Sequence, residues 1–242
     1  MQQGLRKDKL QGCVPLLWPA VDSFGPTPLG HQEPRVVVNA PGFIVLMKPA
    51  GWETDVYDVS KLGVPISPVT RFYLLSSFLA ASGNEEQFPI SRSADSGFGF
   101  IHRLDQMSSG LILTASCFLY HAFLQFQMAT YQIDREYFVL CHGLLPPECR
   151  TMRISARLRE GAARGRERFG ERCLVDHRGK PALTYITPLS FAAQSLQDRY
   201  TSVAISIWTG RQHQIRVHLQ HLGHPSVYDG RYTDQSVFLR EM

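Results

Sequence analysis

The amino-acid sequence predicts a sheet-rich α+β fold. Apolar and polar residues alternate with a period of two over 151–158 and over 201–208, which sends one face of each segment into a core. Two other stretches, 116–130 and 211–222, carry the helical period, so strands outnumber helices. There is no glycine-rich phosphate loop, no dinucleotide-binding fingerprint and no internal repeat.

Taken in order, residues 1–34 hold Pro15, Pro19, Pro26, Pro28 and Pro34, follow neither period, and read as an irregular N-terminal extension. One folded domain is expected over 35–242. Val36–Val38, the turn Asn39-Ala40-Pro41-Gly42 and Phe43–Met47 read as strand, turn, strand, ended by Lys48-Pro49-Ala50-Gly51. A short helix is expected over Arg71–Ala81, followed by a Ser/Asn/Glu-rich loop. Phe98–Ile101 reads as a strand end, and Ser108-Ser109-Gly110 supplies a turn into the apolar run Leu111-Ile112-Leu113.

Ser116 is placed to cap a helix to about Thr130, whose Leu119, Ala122, Phe123 and Phe126 share one face and are expected to be core. Glu136–Leu140 then forms a strand carrying Tyr137. Over 151–158, Met152, Ile154, Ala156 and Leu158 alternate with Arg153 and Arg157, which gives a basic face opposite the core. Gly161–Gly179, rich in Arg and Gly, reads as a loop or hairpin. Ala182–Phe191 and Thr201–Trp208 are further strands, and Arg211–Leu222 is a helix stopped by Gly223 and Pro225.

With 242 residues and 44% apolar content the chain can bury a full core. Its net charge is only +4, yet residues 150–180 hold ten basic and four acidic residues, a local +6 that leaves −2 for the rest. Arginine dominates that segment, and guanidinium groups suit phosphate because they bond it bidentately, so a polyanion is the natural partner. The five cysteines are odd in number and lack C-x-x-C spacing, which points away from a disulfide framework or zinc site and towards a reducing, intracellular compartment. No apolar run approaches a membrane span, and Pro15 and Pro19 interrupt the one segment that could imitate a secretory signal.

Chemistry centres on His102-Arg103-Leu104-Asp105-Gln106-Met107-Ser108-Ser109-Gly110, which seats a carboxylate on a tight connection between buried flanks. Alone, Asp105 would read as an Asx-turn residue. It is accompanied by three further blocks: Phe43–Gly51, Arg135-Glu136-Tyr137 through Gly143, and Thr209-Gly210-Arg211-Gln212-His213-Gln214-Ile215-Arg216-Val217-His218 followed by His221-Leu222-Gly223-His224-Pro225. In this order the four blocks resemble the motifs of RluA-type pseudouridine synthases, over about residues 36–232.

The resemblance implies a catalytic domain with a mixed, mostly antiparallel sheet flanked by helices and loops. It implies isomerisation of uridines in rRNA or tRNA by a monomer that needs no metal or redox cofactor. Asp105 matches the catalytic aspartate, Arg216 the arginine that pairs with it, and Tyr137 the active-site tyrosine. His102, Arg103, Arg153, Arg157, Arg211, His213 and Leu222 are the candidate RNA contacts, Arg103 because an enzyme that rearranges a base has to flip it out of the stack. His213, His218, His221 and His224 do not make a metal site, since His213 lies off the helical face that His218 and His221 share and no acid or cysteine accompanies them.

Two departures stand out. Gln106-Met107-Ser108 replaces the common Arg-Asp-Thr, and Tyr228-Asp229-Gly230-Arg231-Tyr232 stands where Gly-Asp-x-x-Tyr is common, which sets a tyrosine where glycine's backbone freedom is expected. The alternative function is a non-catalytic RNA-binding protein that keeps the fold. A glycosidic hydrolase is more distant, because no second flanking carboxylate is evident.

Overall fold

The computed structural model describes residues 32–54, 74–82, 88–148, 150–160, 172–193, 195, 198–234 and 236–237. Most of the expected N-terminal extension (1–31), residues 71–73 of the expected first helix, the loop 83–87 and residues 161–171 of the Arg-rich segment lie outside them. The chain divides into two compact units, 1–130 and 131–242.

In the first unit, β1 (Arg35–Ala40), β2 (Phe43–Lys48) and β3 (Gly110–Ala115) form an antiparallel sheet in that order, with a register shift in β1 between Val36 and Val38. Alternation along β2 buries Ile44, Leu46 and Lys48. Ile44 and Leu46 join Trp52, Phe88, Phe100, Ile112 and the residues Leu75, Phe78 and Leu79 of α1 (Leu75–Ser82) in one core. Complete burial of a Leu or Ile side chain contributes about 1.5–3 kcal/mol, so this cluster fixes the frame from which the Asp105 loop hangs.

Three expectations for this unit are overturned. Phe98–Ile101 does not end a strand: Ala94–Gly99 is a kinked 3-10 segment with Gly97 and Phe98 in left-handed backbone, and only Phe100 makes an isolated bridge, to Thr114. Gly99 is obligatory there, since a Cβ would lie 2.7 Å from the carbonyl oxygen of Ala115. Helix α2 (Phe118–Ala129) is capped at Cys117 rather than Ser116, whose amide instead donates to the Gly42 carbonyl.

Helix α2 also turns a different face inward. Its buried residues are His121 and Leu124, while Leu119 is 76% and Phe126 60% exposed and Phe123 also faces outward. Phe-Leu-Tyr-His-Ala-Phe-Leu-Gln-Phe-Gln-Met-Ala is apolar nearly all round and holds no charge, so periodicity cannot choose the inward face. Packing against β3 and the 3-10 segment chooses it.

In the second unit, β4 (Glu136–His142), β9 (Arg199–Ile207), β8 (Leu183–Ala193) and β5 (Met152–Ser155) form a sheet in the order β4-β9-β8-β5, and β6 (Leu158–Glu160) pairs with β7 (Cys173–Val175). The period of two over 151–158 is realised as two strands broken after Ser155. Across the break Ile154 and Leu158 stay buried and Arg153 and Arg157 stay outward. Cys141, Leu145, Ile154, Ile186, Val203, Ile205, Ile207 and Leu219 make the main core. Helix α3 (Gln214–His221) packs on it. It begins at Gln214 rather than Arg211, because His213 takes a left-handed conformation (φ 53°) that ends helical pairing.

Every ladder between named strands is antiparallel, and among the described residues nine strands accompany three α-helices, as the sequence predicts. No helix among the described residues is long and apolar enough to cross a membrane.

Candidate active site

Asp105 lies half-buried on the connection into β3, and the backbone on both sides of it is held. Ser108 N donates to Asp105 O (3.0 Å), and Gly51 N donates to Gln106 O (2.8 Å). Thr54 Oγ1 accepts from Leu104 N (3.3 Å) and donates to Leu104 O (3.4 Å). Beneath the loop sits Lys48, with no exposed surface. Its Nζ donates to the carbonyls of Pro49 (3.0 Å), Gln106 (3.0 Å) and Ser108, which uses all three ammonium hydrogens.

Burial pushes the Lys48 ammonium down from 10.5 to about 8, against the raising fields of Asp105 and then Glu53. The altered triplet Gln106-Met107-Ser108 keeps these bonds, because Lys48 and Gly51 grip backbone carbonyls that any side chain leaves in place. A carboxylate on a backbone clamped this way is oriented before substrate arrives.

His102 is drawn inward. Its Nε2 accepts from Leu113 N (3.1 Å), so the proton sits on Nδ1. Arg103 is exposed.

The second unit carries the remaining candidates. Tyr137 on β4 is half-buried against the core, opposite Ile205. Arg216 on α3 grips Asp229 with two bonds, Nε to Oδ2 and Nη2 to Oδ1, both 2.7 Å, and its guanidinium lies 4.8 Å from the centre of the Tyr232 ring. Asp229 Oδ1 also accepts from Arg231 N (3.1 Å) and Tyr232 N (3.3 Å), so one buried carboxylate organises the whole turn. Tyr232 OH accepts from Cys173 N (3.0 Å) and meets His213 Nδ1 at 2.8 Å. Burial chiefly raises the Tyr232 phenol to about 12, so it stays protonated.

Tyr228 sits at φ 60°, the left-handed region expected where glycine is common, so the departure is accommodated as backbone strain. Leu222 is partly buried in the core behind α3. Arg153 and Arg211 are exposed; Arg211 Nε donates to Pro181 O (3.0 Å) and Arg157 Nε to Gly179 O (2.8 Å). Asp105, His102 and Arg103 thus belong to one unit, and Tyr137, Arg153, Arg157, Arg211, His213, Arg216 and Leu222 to the other. Among the described residues no three His, Cys, Asp or Glu side chains could hold a metal.

Sequence reasoning missed Lys48, Asp229 and Gln214. Strand parity could have found the first, since Lys48 continues the inward phase of Ile44 and Leu46. Asp229 stood in a motif already noticed and is its sole acid. Gln214 Oε1 accepts from Thr209 Oγ1 (2.8 Å) and Arg211 N (3.1 Å), while Nε2 donates to Leu183 O (3.1 Å) and Thr184 Oγ1 (2.9 Å). No sequence pattern announces such a knot.

The ribosomal large subunit pseudouridine synthase C of Buchnera aphidicola subsp. Acyrthosiphon pisum is 33% identical over 147 residues, 61% of this chain and 44% of that protein. The human pseudouridylate synthase RPUSD2 is 34% identical over 182 residues, 74% of this chain and 29% of that protein. The chain therefore spans less than half the length of these curated relatives.

Among solved structures, human RNA Pseudouridylate Synthase Domain Containing 1 superposes with a TM-score of 0.61 at 24% identity, over 90% of this chain and 75% of that one, a likeness of fold. The sequence profile described as RNA pseudouridylate synthase matches residues 42–221, from the turn before β2 to the end of α3. Since that match takes in the Asp105 loop, the Tyr137 strand and the Arg216 helix alike, the chain belongs to the RNA pseudouridylate synthase family.

Proposed function

We propose that the chain isomerises uridine to pseudouridine in RNA, with rRNA or tRNA as substrate. The observation that carries the reading is the Asp105 carboxylate on its clamped loop, in a chain of this family. The reaction cleaves the bond from the ribose carbon to N1, turns the uracil and joins C5 to the same carbon. The C5 proton leaves to a base and a proton returns to N1, so composition is unchanged. Asp105 serves either by attacking the sugar carbon or by assisting glycal formation through proton abstraction. Tyr137 stacks on the turned base and helps remove its proton, and Arg216, oriented by its two bonds to Asp229, is the arginine of the catalytic set. Arg103 holds the RNA where the nucleotide leaves the stack, and Arg153, Arg157 and Arg211 contact phosphate. His102, His213 and Leu222 support RNA binding from within. On this reading the enzyme acts inside the cell as a monomer.

The competing reading is an RNA-binding protein without activity, favoured by the Gln106-Met107-Ser108 departure. To separate the two, wild-type protein and Asp105→Asn are incubated with total cellular RNA and pseudouridine is mapped as carbodiimide adducts. Adducts at discrete uridines with wild type, and a loss of about 10³-fold or more with Asp105→Asn, are expected. Wild type that forms no pseudouridine on any RNA class overturns the proposal.

A further inference from the structure

The four-stranded sheet of the second unit has an outer face that nothing above explains. Val203, Ile205, Ile207 and Ile186 point into the core, so parity sends Glu136, Phe138 and Leu140 of β4, Ser202, Ala204 and Ser206 of β9, and Tyr185 and Thr187 of β8 the other way. A face turned to water should be polar. This one carries Phe138 at 71% exposure, and at its end Trp208 is 50% and Tyr131 56% exposed.

The rings stand together. Trp208 lies 5.3 Å from Tyr131 (interplanar angle 36°) and 6.5 Å from Tyr185 (53°), centroid to centroid. Arg135 Nη2 donates to Trp208 O (2.8 Å), which holds the tryptophan backbone in place.

Charge on this face is lopsided. Arg153 on the edge strand β5 sits directly opposite Tyr185, and exposed Arg150 precedes it by three residues, whereas Arg159 on β6 is paired with Asp176 (2.8 Å). The face's acid, Glu136, is on the far strand β4, opposite Ser206. Rings with cations at one edge fit a ligand that alternates flat apolar surfaces with negative charge. Unpaired nucleic acid has that pattern, because every base offers a π-face and every linkage a phosphate.

We propose that this outer face is a stacking platform for single-stranded RNA. Bases lie against Trp208, Tyr185 and Phe138, while Arg150 and Arg153 hold the phosphates. The inference rests on the RNA reading above, but concerns grip on RNA away from the reacting uridine.

The test titrates the whole chain, in a Trp18→Phe background, with a short uridine-rich single strand and follows tryptophan emission, with Trp52 buried as an internal constant. Wild type is quenched, and Trp208→Phe loses most of that quenching while affinity stays within about twofold, since phenylalanine also stacks. Trp208→Ala and Tyr185→Ala each weaken binding by roughly tenfold. Arg153→Gln lowers the salt slope of log Kd by about 1. On a long RNA substrate Trp208→Ala and Tyr185→Ala raise KM and leave kcat in place.

Thermal denaturation checks the fold, and Phe138→Thr, at a site this exposed, serves as the variant least able to disturb it. Unquenched Trp208 together with unchanged affinity and salt slope in all variants overturns the platform, as does capture of another protein on this face with no RNA binding. Quenching that persists in a protein forming no pseudouridine keeps the platform and discards the isomerase reading. Pseudouridine formation without these binding effects does the reverse.

Discussion

Lys48 and Asp105 share one scaffold, and their charges are coupled. The Asp105 field raises the Lys48 pKa, so Asp105→Asn should move the ammonium below its value of about 8, read from the Lys48 side-chain resonances in a pH titration by NMR. An unchanged titration would mean that the carboxylate does not face the lysine. The sign for stability follows from linkage. The folded pKa is below the unfolded 10.5, so between about pH 8 and 10.5 the unfolded chain binds the extra proton and stability rises with pH. Lys48→Met should remove that slope.

Tyr228 supplies a second test at this scale. A non-glycine residue in left-handed backbone carries a strain of about 1–2 kcal/mol, so Tyr228→Gly should stabilise the protein by about 1 kcal/mol, read as a higher denaturant midpoint. A lower midpoint would show that contacts of the ring outweigh the strain. The sequence flagged this position because tyrosine stood where glycine is common. It could not show that the backbone had kept glycine's conformation.

Among elements, α3 is tied to the sheet by buried polar side chains. His218 Nε2 donates to Ala156 O (3.1 Å), which leaves Nδ1 to accept from Thr184 Oγ1 (2.8 Å), an arrangement that requires the neutral ring. Burial lowers the His218 pKa, the Ala156 bond opposes this, and His221 lowers it further. With the folded pKa below the unfolded 6.5, the unfolded chain takes up a proton that the native ring refuses, so stability falls as pH drops through 6.5. Urea midpoints between pH 7.5 and 5.5 should show the decline, and His218→Gln should flatten it. The start of α3 was misjudged because its stop signal is a histidine at positive φ, which propensity does not anticipate, whereas Gly223 marked its end plainly. The strands were legible because alternation records which face is wet. Helix α2 was legible as a helix and not in its orientation, since an apolar surface all round leaves the choice to its neighbours.

For the molecule as a whole, the motif blocks carried the family and most candidate residues into view, and the remainder needed coordinates. Partners such as Arg216 with Asp229 and Lys48 with the Gln106 carbonyl are products of chain reversal. Nothing local in sequence records them. The core of the first unit and the clusters of the second are distinct, and the Asp105 loop and the Arg216 helix rest on different ones.

The longest motif, Thr209 to His218, spends much of its identity on carpentry. Thr209, Gln214 and His218 fasten the helix to β8. A search that recognises homologues by this string therefore detects a shared joint. A descendant that had lost all chemistry would still display it, so that string should never by itself be used to sort working members of the lineage from silent ones.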